Sequence, residues 1–189
     1  TESNLTSLTC DNLAQTSVLE PNLSTSHNTY NMALIDTHCH LDAKEFDADL
    51  ESVIQEALNN DIQMMVVPAI HRSNFESVTQ LAQTHSCCAH ALGIHPMYVS
   101  TSTLEDLEFL ADEVSRQLKS DQPPVAIGEI GLDFFIPDYD KTLQEHYFVE
   151  QLKIAKQFDL PVILHVRSAI DNVLKHLRKQ KIQQTKNTD

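Results

Sequence analysis

The residues best suited to chemistry are two histidines that lie two positions apart, His38 and His40. They follow the apolar pair Leu34 and Ile35, and this pattern predicts a short buried strand over residues 34–41. Side chains two positions apart on a strand point to the same face, so both imidazoles should converge. A neutral imidazole offers a lone pair without deprotonation, which makes this pair candidate metal ligands. The alternative is that two of the chain's ten histidines lie near each other by chance.

A glutamate is the next candidate. Glu129 follows the apolar run VAIG, with which it is predicted to form the fourth strand, residues 125–129. A carboxylate in such a setting is costly to bury unless it is paired or coordinates a metal ion. The alternative to metal binding is a structural ion pair with Arg167 or with a lysine.

Histidines also stand at the ends of two other predicted strands. His95 follows the third strand, which we predict over residues 89–94, and His165 lies near the end of the fifth, over residues 161–166. His95 is a candidate substrate contact, and its alternative is a histidine that caps a loop. For His165 the alternative to metal binding is a hydrogen-bonded core histidine, a common arrangement for buried polar groups. No role is assigned to five histidines predicted in loops or helices away from the strand ends: His71, His85, His90, His146 and His176.

Two further charged residues are candidates for substrate binding. Asp133 follows Glu129 by four residues. Like His95, it is either a substrate contact or a residue that caps a loop. Arg167 could hold two oxygens of a phosphate through its guanidinium. Its alternative is a surface ion pair with an acidic neighbour such as Asp171.

The elements that must position these residues alternate between apolar strands and amphipathic helices. The second strand is predicted over residues 63–67, and the longest helix over residues 142–158. Ser73 and Thr103 are predicted to cap the helices that follow the second and third strands. Strands spaced about 30 residues apart and joined by helices indicate a parallel α/β fold.

The positions of the polar residues distinguish a barrel from an open sheet. In a TIM-type (β/α)8 barrel the carboxyl ends of all strands converge on one mouth, which would bring the candidate residues together. The sequence contains no Gly-x-Gly-x-x-Gly turn after the first strand and no phosphate-binding loop with Lys-Ser or Lys-Thr. Their absence counts against a nucleotide-binding open sheet.

Charge and cysteine usage exclude several classes of protein. The net charge of −14 gives the whole chain no attraction to nucleic acid or anionic membranes, so a phosphate substrate must be held locally. No apolar run is long enough to cross a bilayer, and there is no secretory signal. The four cysteines show no CxxC or zinc-ribbon spacing, which favours reduced thiols and a cytoplasmic location.

Three regions are expected along the chain. Residues 1–31 are rich in Ser, Thr and Asn and carry no Lys or Arg, so we expect a disordered leader before a start at Met32. Residues 32–182 should form the α/β unit, and residues 183–189 a polar tail.

Four segments taken together resemble the successive signatures of the TatD-type metal-dependent deoxyribonucleases, a family of the amidohydrolase-like metal hydrolases. They are LIDTHCHLD (34–42), GIHP (93–96), AIGEIGLD (126–133) and LPVILHVR (160–167). The resemblance runs from Met32 to about Leu177. It implies a TIM-type barrel and hydrolysis of DNA phosphodiester bonds by a hydroxide that two metal ions activate.

The same resemblance implies how the site residues divide their roles. His38 and His40 would hold one divalent ion, His165 would bind a second, and Glu129 would bridge the two and take part in catalysis. From the residues themselves, and not from the resemblance, His95, Asp133 and Arg167 are expected to contact the substrate DNA. Mixed imidazole and carboxylate ligands do not select among Mg, Zn and Mn.

The chain also departs from the family. Its members supply a further histidine from the sixth strand and an aspartate from the eighth, whereas this sequence ends at Asp189, after five β/α units. We therefore expect an incomplete barrel with two unpaired edges, completed by a second chain or by a missing C-terminal segment. Two alternatives remain: a truncated, catalytically inactive product, and an amidohydrolase that acts on a cyclic amide or nucleobase, although such enzymes often carry a lysine where Glu129 stands.

Overall fold

The computed structural model describes residues 33–180, in which five parallel strands alternate with five α-helices. The expected leader with Met32 and the expected tail at residues 183–189 lie outside the described residues. Short 3-10 turns occupy Lys44–Phe46, Arg72–Asn74 and Pro96–Thr101. The strands and helices, in chain order, are β1 (Leu34–Asp36), α1 (Leu50–Asn59), β2 (Ile62–Pro68), α2 (Phe75–Thr84), β3 (Cys88–Leu92), α3 (Leu104–Gln117), β4 (Ala126–Asp133), α4 (Lys141–Phe158), β5 (Val162–Arg167) and α5 (Ile170–Gln180).

The sheet has the strand order β1-β2-β3-β4-β5, and every neighbouring pair is parallel. Sequential parallel strands joined by helical crossovers are the arrangement of a (β/α)8 barrel. The five strands form a curled half-barrel, which confirms the predicted fold class and the predicted number of units. No helix among residues 33–180 has the length and apolar content needed to cross a bilayer.

The two edges of this half-barrel differ from its centre. All eight residues of β4 are buried, whereas Leu34 and Ile35 of the edge strand β1 are 47% and 60% exposed. At the other edge, Leu164 and Val166 of β5 are also exposed. Apolar side chains on an unpaired parallel edge are unusual, because parallel strands are normally covered on both faces.

Two strands, β1 and β4, differ most in length from those predicted. β1 ends at Asp36, yet the next residues stay beside β2 because the Cys39 amide donates to the Val66 carbonyl (3.0 Å). β4 continues beyond Glu129 to Asp133, because it pairs with β5 as far as Asp133 opposite Arg167. The grouping of His90 with histidines of loops or helices was wrong, whereas the predicted third strand over residues 89–94 does contain it. His90 lies within β3, where it is buried and its Nε2 contacts Gln117 Oε1 (2.6 Å).

The helix starts show one wrong and one confirmed prediction. Ser73 does not cap α2, because a 3-10 turn comes first and the His71 side chain accepts from the Ser73 amide. Thr103 does cap α3, and its amide donates to Asp106 (2.8 Å) in a capping box.

Helix α4 is bonded to two strand ends by buried glutamines. Gln151 accepts from the Ile94 amide (2.7 Å) and donates to the Ile94 carbonyl (3.0 Å), one residue before His95. Gln144 makes the same two-way contact with the Asp133 backbone, at 2.8 and 3.0 Å. These bonds satisfy backbone groups that β-sheet pairing leaves open at the strand ends. The outer helix therefore fixes where the β3 and β4 ends lie.

Replacing Gln151 with leucine should destabilise the protein. The change leaves the buried amide and carbonyl of Ile94 without partners, which costs about 2 to 4 kcal/mol for the two groups together. Urea unfolding measures this difference. Gln157→Leu, at an exposed position of the same helix, is the matched control and should change stability little. Equal effects of the two substitutions would show that the Ile94 contacts do not carry this energy.

Candidate metal centre

The Glu129 carboxylate lies among four imidazoles, and each of its oxygens faces a different pair. Oε2 is 3.0 Å from His38 Nε2 and 3.5 Å from His40 Nε2. Oε1 is 2.9 Å from His165 Nδ1 and 3.5 Å from His95 Nε2. The structure therefore brings Glu129 together with all four histidines singled out from the strand ends.

The segment after β1 turns both of its histidines toward Glu129. Asp36 Oδ1 accepts from the His38 amide (3.1 Å), which fixes the turn at the strand end. The two Nε2 atoms of His38 and His40 lie 3.3 Å apart. The two imidazoles thus converge as predicted. They lie on a loop that Asp36 holds in place, however, and not on a continuous strand.

His165 reaches the centre from β5 and is held from behind by an aspartate. His165 Nε2 lies 3.0 Å from Asp133 Oδ2, and Asp133 Oδ1 accepts from the Phe135 amide (3.0 Å). Asp133 is fully buried, so the structure places it behind the imidazole and away from solvent. With Nε2 directed to Asp133, His165 presents Nδ1 to the centre.

His95 is held in one tautomer by the backbone. The Met97 amide donates to His95 Nδ1 (3.1 Å), so in the neutral imidazole the proton lies on Nε2. This is the capping contact considered as an alternative for His95, and it begins the turn Pro96–Thr101. A protonated Nε2 can donate a hydrogen bond but cannot ligate a metal ion. His95 therefore faces Glu129 Oε1 and His165 Nδ1 as a donor.

The close approach of the central strands depends on glycine. The chain has three glycines: Gly93 directly follows β3, and Gly128 and Gly131 lie within β4. A Cβ on Gly128 would collide with Ile163 of β5. Gly131 has a φ of 152° and lies directly against the His165 carbonyl, so no other residue fits there. Glycine on either side of Glu129 lets β4 and β5 pack closely enough for the carboxylate to reach His165.

The charges at the centre stabilise one another. Burial raises the pKa of Glu129, but hydrogen bonds from His165, His40 and His95 outweigh it and hold that pKa far below 4.5. The pKa of His165 is raised above 6.5, chiefly by its hydrogen bond to Glu129, and Asp133 adds to the effect. The pKa of His40 is raised for the same principal reason.

The donor atoms fit divalent cations. His38, His40 and Glu129 place three ligand atoms within 4.8 Å of one another, and His95, Glu129 and His165 do the same. Because His95 Nε2 carries the proton, the second group supplies two usable ligands among residues 33–180, His165 Nδ1 and Glu129 Oε1. Nitrogen and carboxylate donors of this kind suit Zn and Mn better than Ca.

Arg167 and Phe135 lie beside this centre. The Arg167 guanidinium carbon is 3.9 Å from the centroid of the Phe135 ring, a cation–π contact. Phe135 is 63% exposed, so the stacked pair faces solvent next to Asp133. In the part of the chain that the structure describes, Arg167 forms no ion pair with Asp171 or Glu129, the partners considered from the sequence.

One carboxylate near the centre was not singled out from the sequence. Asp42 Oδ1 lies 4.0 Å from His40 Nδ1, on the side of that imidazole away from Glu129. Its position two residues after His40 in LIDTHCHLD is the only sequence signal for this contact.

Comparison with known proteins identifies the family. The family model described as "TatD related DNase" matches residues 35–187, which is most of the chain. The chain belongs to the TatD-related DNase family. This confirms the family resemblance of the four sequence signatures.

Curated relatives carry names of two kinds. The chain is 38% identical over 151 residues to the "Uncharacterized metal-dependent hydrolase YjjV" of Escherichia coli K12, a match that covers 80% of this chain and 57% of that protein. It is 33% identical over 161 residues to the human "Deoxyribonuclease TATDN3", covering 79% of this chain and 57% of the relative. The chain thus spans little more than half the length of these relatives.

Solved TatD structures share the fold. The crystal structure of Escherichia coli YjjV matches with a TM-score of 0.74 and 38% identity, over 79% of this chain and 57% of that one. A TatD-family hydrolase from Entamoeba histolytica matches with a TM-score of 0.70 at 18% identity, covering 79% and 55% of the two chains. The second match, at this low identity, is one of fold alone.

We expect metal-free protein to be most stable in mildly acidic solution. The raised pKa of His165 gives stability that is complete below the ordinary value of 6.5 and is lost as pH rises through the raised value. The lowered pKa of Glu129 gives stability that is complete above 4.5 and is lost as pH falls. Urea unfolding across this range should show a maximum between those two values.

The control for this profile is Glu129→Gln, which removes the charge from the same position. The variant should show a weaker maximum, because His165 and His40 lose the carboxylate that chiefly raises their pKa values, while His165 keeps its contact with Asp133. Added Zn²⁺ should reverse the fall in stability at higher pH, because ligating imidazoles must be neutral. Identical pH profiles for the metal-free variant and wild-type proteins would contradict the assignment of the coupling to Glu129.

Proposed function

We propose that this chain carries the centre of a metal-dependent hydrolase that cleaves DNA phosphodiester bonds. The observation that supports it most directly is the division of the Glu129 oxygens between two sets of imidazoles, the arrangement expected of a bridging carboxylate. The family of the chain and the name of the human relative favour DNA as the substrate.

Two cation positions with unequal ligand sets follow from the donor geometry. One would use His38 Nε2, His40 Nε2 and Glu129 Oε2, and the other His165 Nδ1 and Glu129 Oε1. When bound, divalent cations at such positions neutralise phosphate charge and acidify a water molecule. The position with three ligands should be the tighter one.

The remaining groups have roles that match their hydrogen-bonding capacity. We assign His95 to substrate, because its Nε2–H is fixed as a donor facing the centre and can bond a phosphate oxygen. Asp133, buried behind His165, orients that imidazole through the 3.0 Å contact and does not face substrate as first expected. Arg167 lies at the open side of the centre, where its guanidinium can contact a phosphate.

Charged groups at the site itself must attract the DNA. The chain's net charge of −14 repels a polyanion overall, so binding depends on the bound cations and on Arg167. The exposed Phe135 ring beneath Arg167 adds a surface on which a base can stack. This combination favours a strand end or an unpaired region over continuous duplex. The cytoplasmic location expected from the cysteines stays a prediction.

Glu129→Gln should abolish DNA hydrolysis. The amide keeps the shape of the side chain but loses the charge that bridges the two cation positions, and we expect a loss of at least about 100-fold. Release of nucleotides from single-stranded DNA in Mn²⁺ or Zn²⁺ measures the activity, and EDTA should remove it. Glu108→Gln, an exposed position on α3, is the matched control. Full activity of the Glu129→Gln protein would exclude this centre.

A second candidate is an incomplete half-site that is inactive by itself. It is favoured by the exposed apolar residues on both sheet edges, Leu34 and Ile35 on β1 and Leu164 and Val166 on β5. We propose that a second chain or a further segment pairs with these edges in the active protein. Such pairing would also bring additional ligands to the His165 side, which has two among the described residues.

Metal stoichiometry distinguishes the two candidates. A competent two-cation centre should hold close to two equivalents of Zn²⁺ after equilibrium dialysis, whereas an inactive half-site should hold zero to one. Light scattering on the same samples reports whether a second copy completes the sheet. A monomer with two tightly bound ions and DNase activity would rule out the incomplete half-site.

A further inference from the structure

We propose that Asp42 is a positioning residue for His40, holding this imidazole so that Nε2 ligates a cation while Nδ1 keeps its proton. The inference rests on the proposed metal centre and adds a residue to it. His40 Nε2 points to Glu129 Oε2 (3.5 Å), and its other nitrogen faces Asp42 Oδ1 (4.0 Å). Each end of the ring thus faces one carboxylate.

The Asp42 side chain is buried, and one of its two carboxylate oxygens has no hydrogen-bond donor. Its side chain is 9% exposed, and Oδ1 is buried without a hydrogen-bond partner. A buried carboxylate oxygen without a donor is costly, so native structures normally supply one. His40 Nδ1 is the ring nitrogen that faces this oxygen, at 4.0 Å.

The other oxygen of Asp42 is fixed by the loop after β2. Asn74 donates to Asp42 Oδ2 (2.7 Å). The same asparagine accepts from the backbone amides of Ile70 and His71, both at 3.1 Å. The carboxylate is therefore held against rotation by a side chain that is itself tied to two backbone groups. A fixed acceptor behind a ring determines which ring nitrogen carries the proton.

On both sides of the centre, a carboxylate lies behind a histidine ring. Behind His165, the Asp133 carboxylate contacts Nε2 at 3.0 Å and leaves Nδ1 for the centre. Behind His40, Asp42 faces Nδ1 and leaves Nε2. Carboxylates that accept from the distal nitrogen of a ligating histidine typically raise metal affinity about 10- to 100-fold. Asp42 would act in this way on the tighter cation position.

The test is Zn²⁺ affinity of the full chain, measured by competition with a chromophoric chelator. Asp42→Asn retains the shape of the side chain and an oxygen for Asn74, but it removes the negative charge facing His40. We expect affinity at the tighter position to fall about 10- to 100-fold. Asp106→Asn is the matched control: Asp106 is a buried carboxylate that pairs with Arg72 and has no contact with the centre. This variant should bind Zn²⁺ as wild type does.

A spectroscopic measurement on Zn²⁺-loaded protein tests the same point without DNA. Nitrogen-15 NMR should find the His40 proton on Nδ1, and in Asp42→Asn this proton should exchange faster with water because it loses its carboxylate acceptor. The His40 signals are assigned with His40→Gln. Wild-type protein with the proton on Nε2 would overturn the proposal even if the variant fails to fold, as would unchanged Zn²⁺ affinity in a folded variant. Normal Zn²⁺ binding without DNA cleavage would instead count against the proposed function alone.

Discussion

A buried negative charge is the constraint that organises this half-barrel. Glu129 lies on a strand whose eight residues are all buried, and a lone carboxylate there would be strongly unfavourable. Four imidazoles from three other parts of the chain surround it and direct ring nitrogens toward its two oxygens. Those histidines arrive from the ends of β1, β3 and β5, so the carboxyl ends of three strands converge on one side chain of a fourth.

Much of this arrangement was predictable from sequence. Apolar runs spaced by amphipathic helices gave the parallel α/β class, and polar residues at the run ends marked the convergence of His38, His40, His95, Glu129 and His165. These signals are local in the chain, since a strand end is recognisable from the residues around it. The exact strand limits were not predictable in this way. β1 is shorter and β4 longer than expected because pairing with a neighbouring strand decides where each ends.

The roles of individual groups depended on contacts that no local pattern contains. The proton position on His95 follows from the Met97 amide, and the burial of Asp133 follows from β4 continuing beside β5. The contact of Asp42 with His40 needs a loop whose shape Asn74 determines, 32 residues further along the chain. The wrong cap at Ser73 has a similar origin, because His71 rather than serine satisfies the first backbone amides. Hydrogen-bond partners that only the tertiary structure brings together cannot be recognised from a local sequence pattern.

The two buried glutamines of α4 have a consequence for how this protein can vary. The apolar stripe of an outer helix tolerates extensive substitution as long as its volume and pattern are kept. Here α4 also carries Gln144 and Gln151, which are hydrogen-bonded to the backbone of Asp133 and Ile94. A chimaera that exchanged α4 for a helix with an equivalent apolar stripe would keep a sealed core but release the ends of β3 and β4. Recombination among such folds would have to transfer this helix together with the two strands it holds.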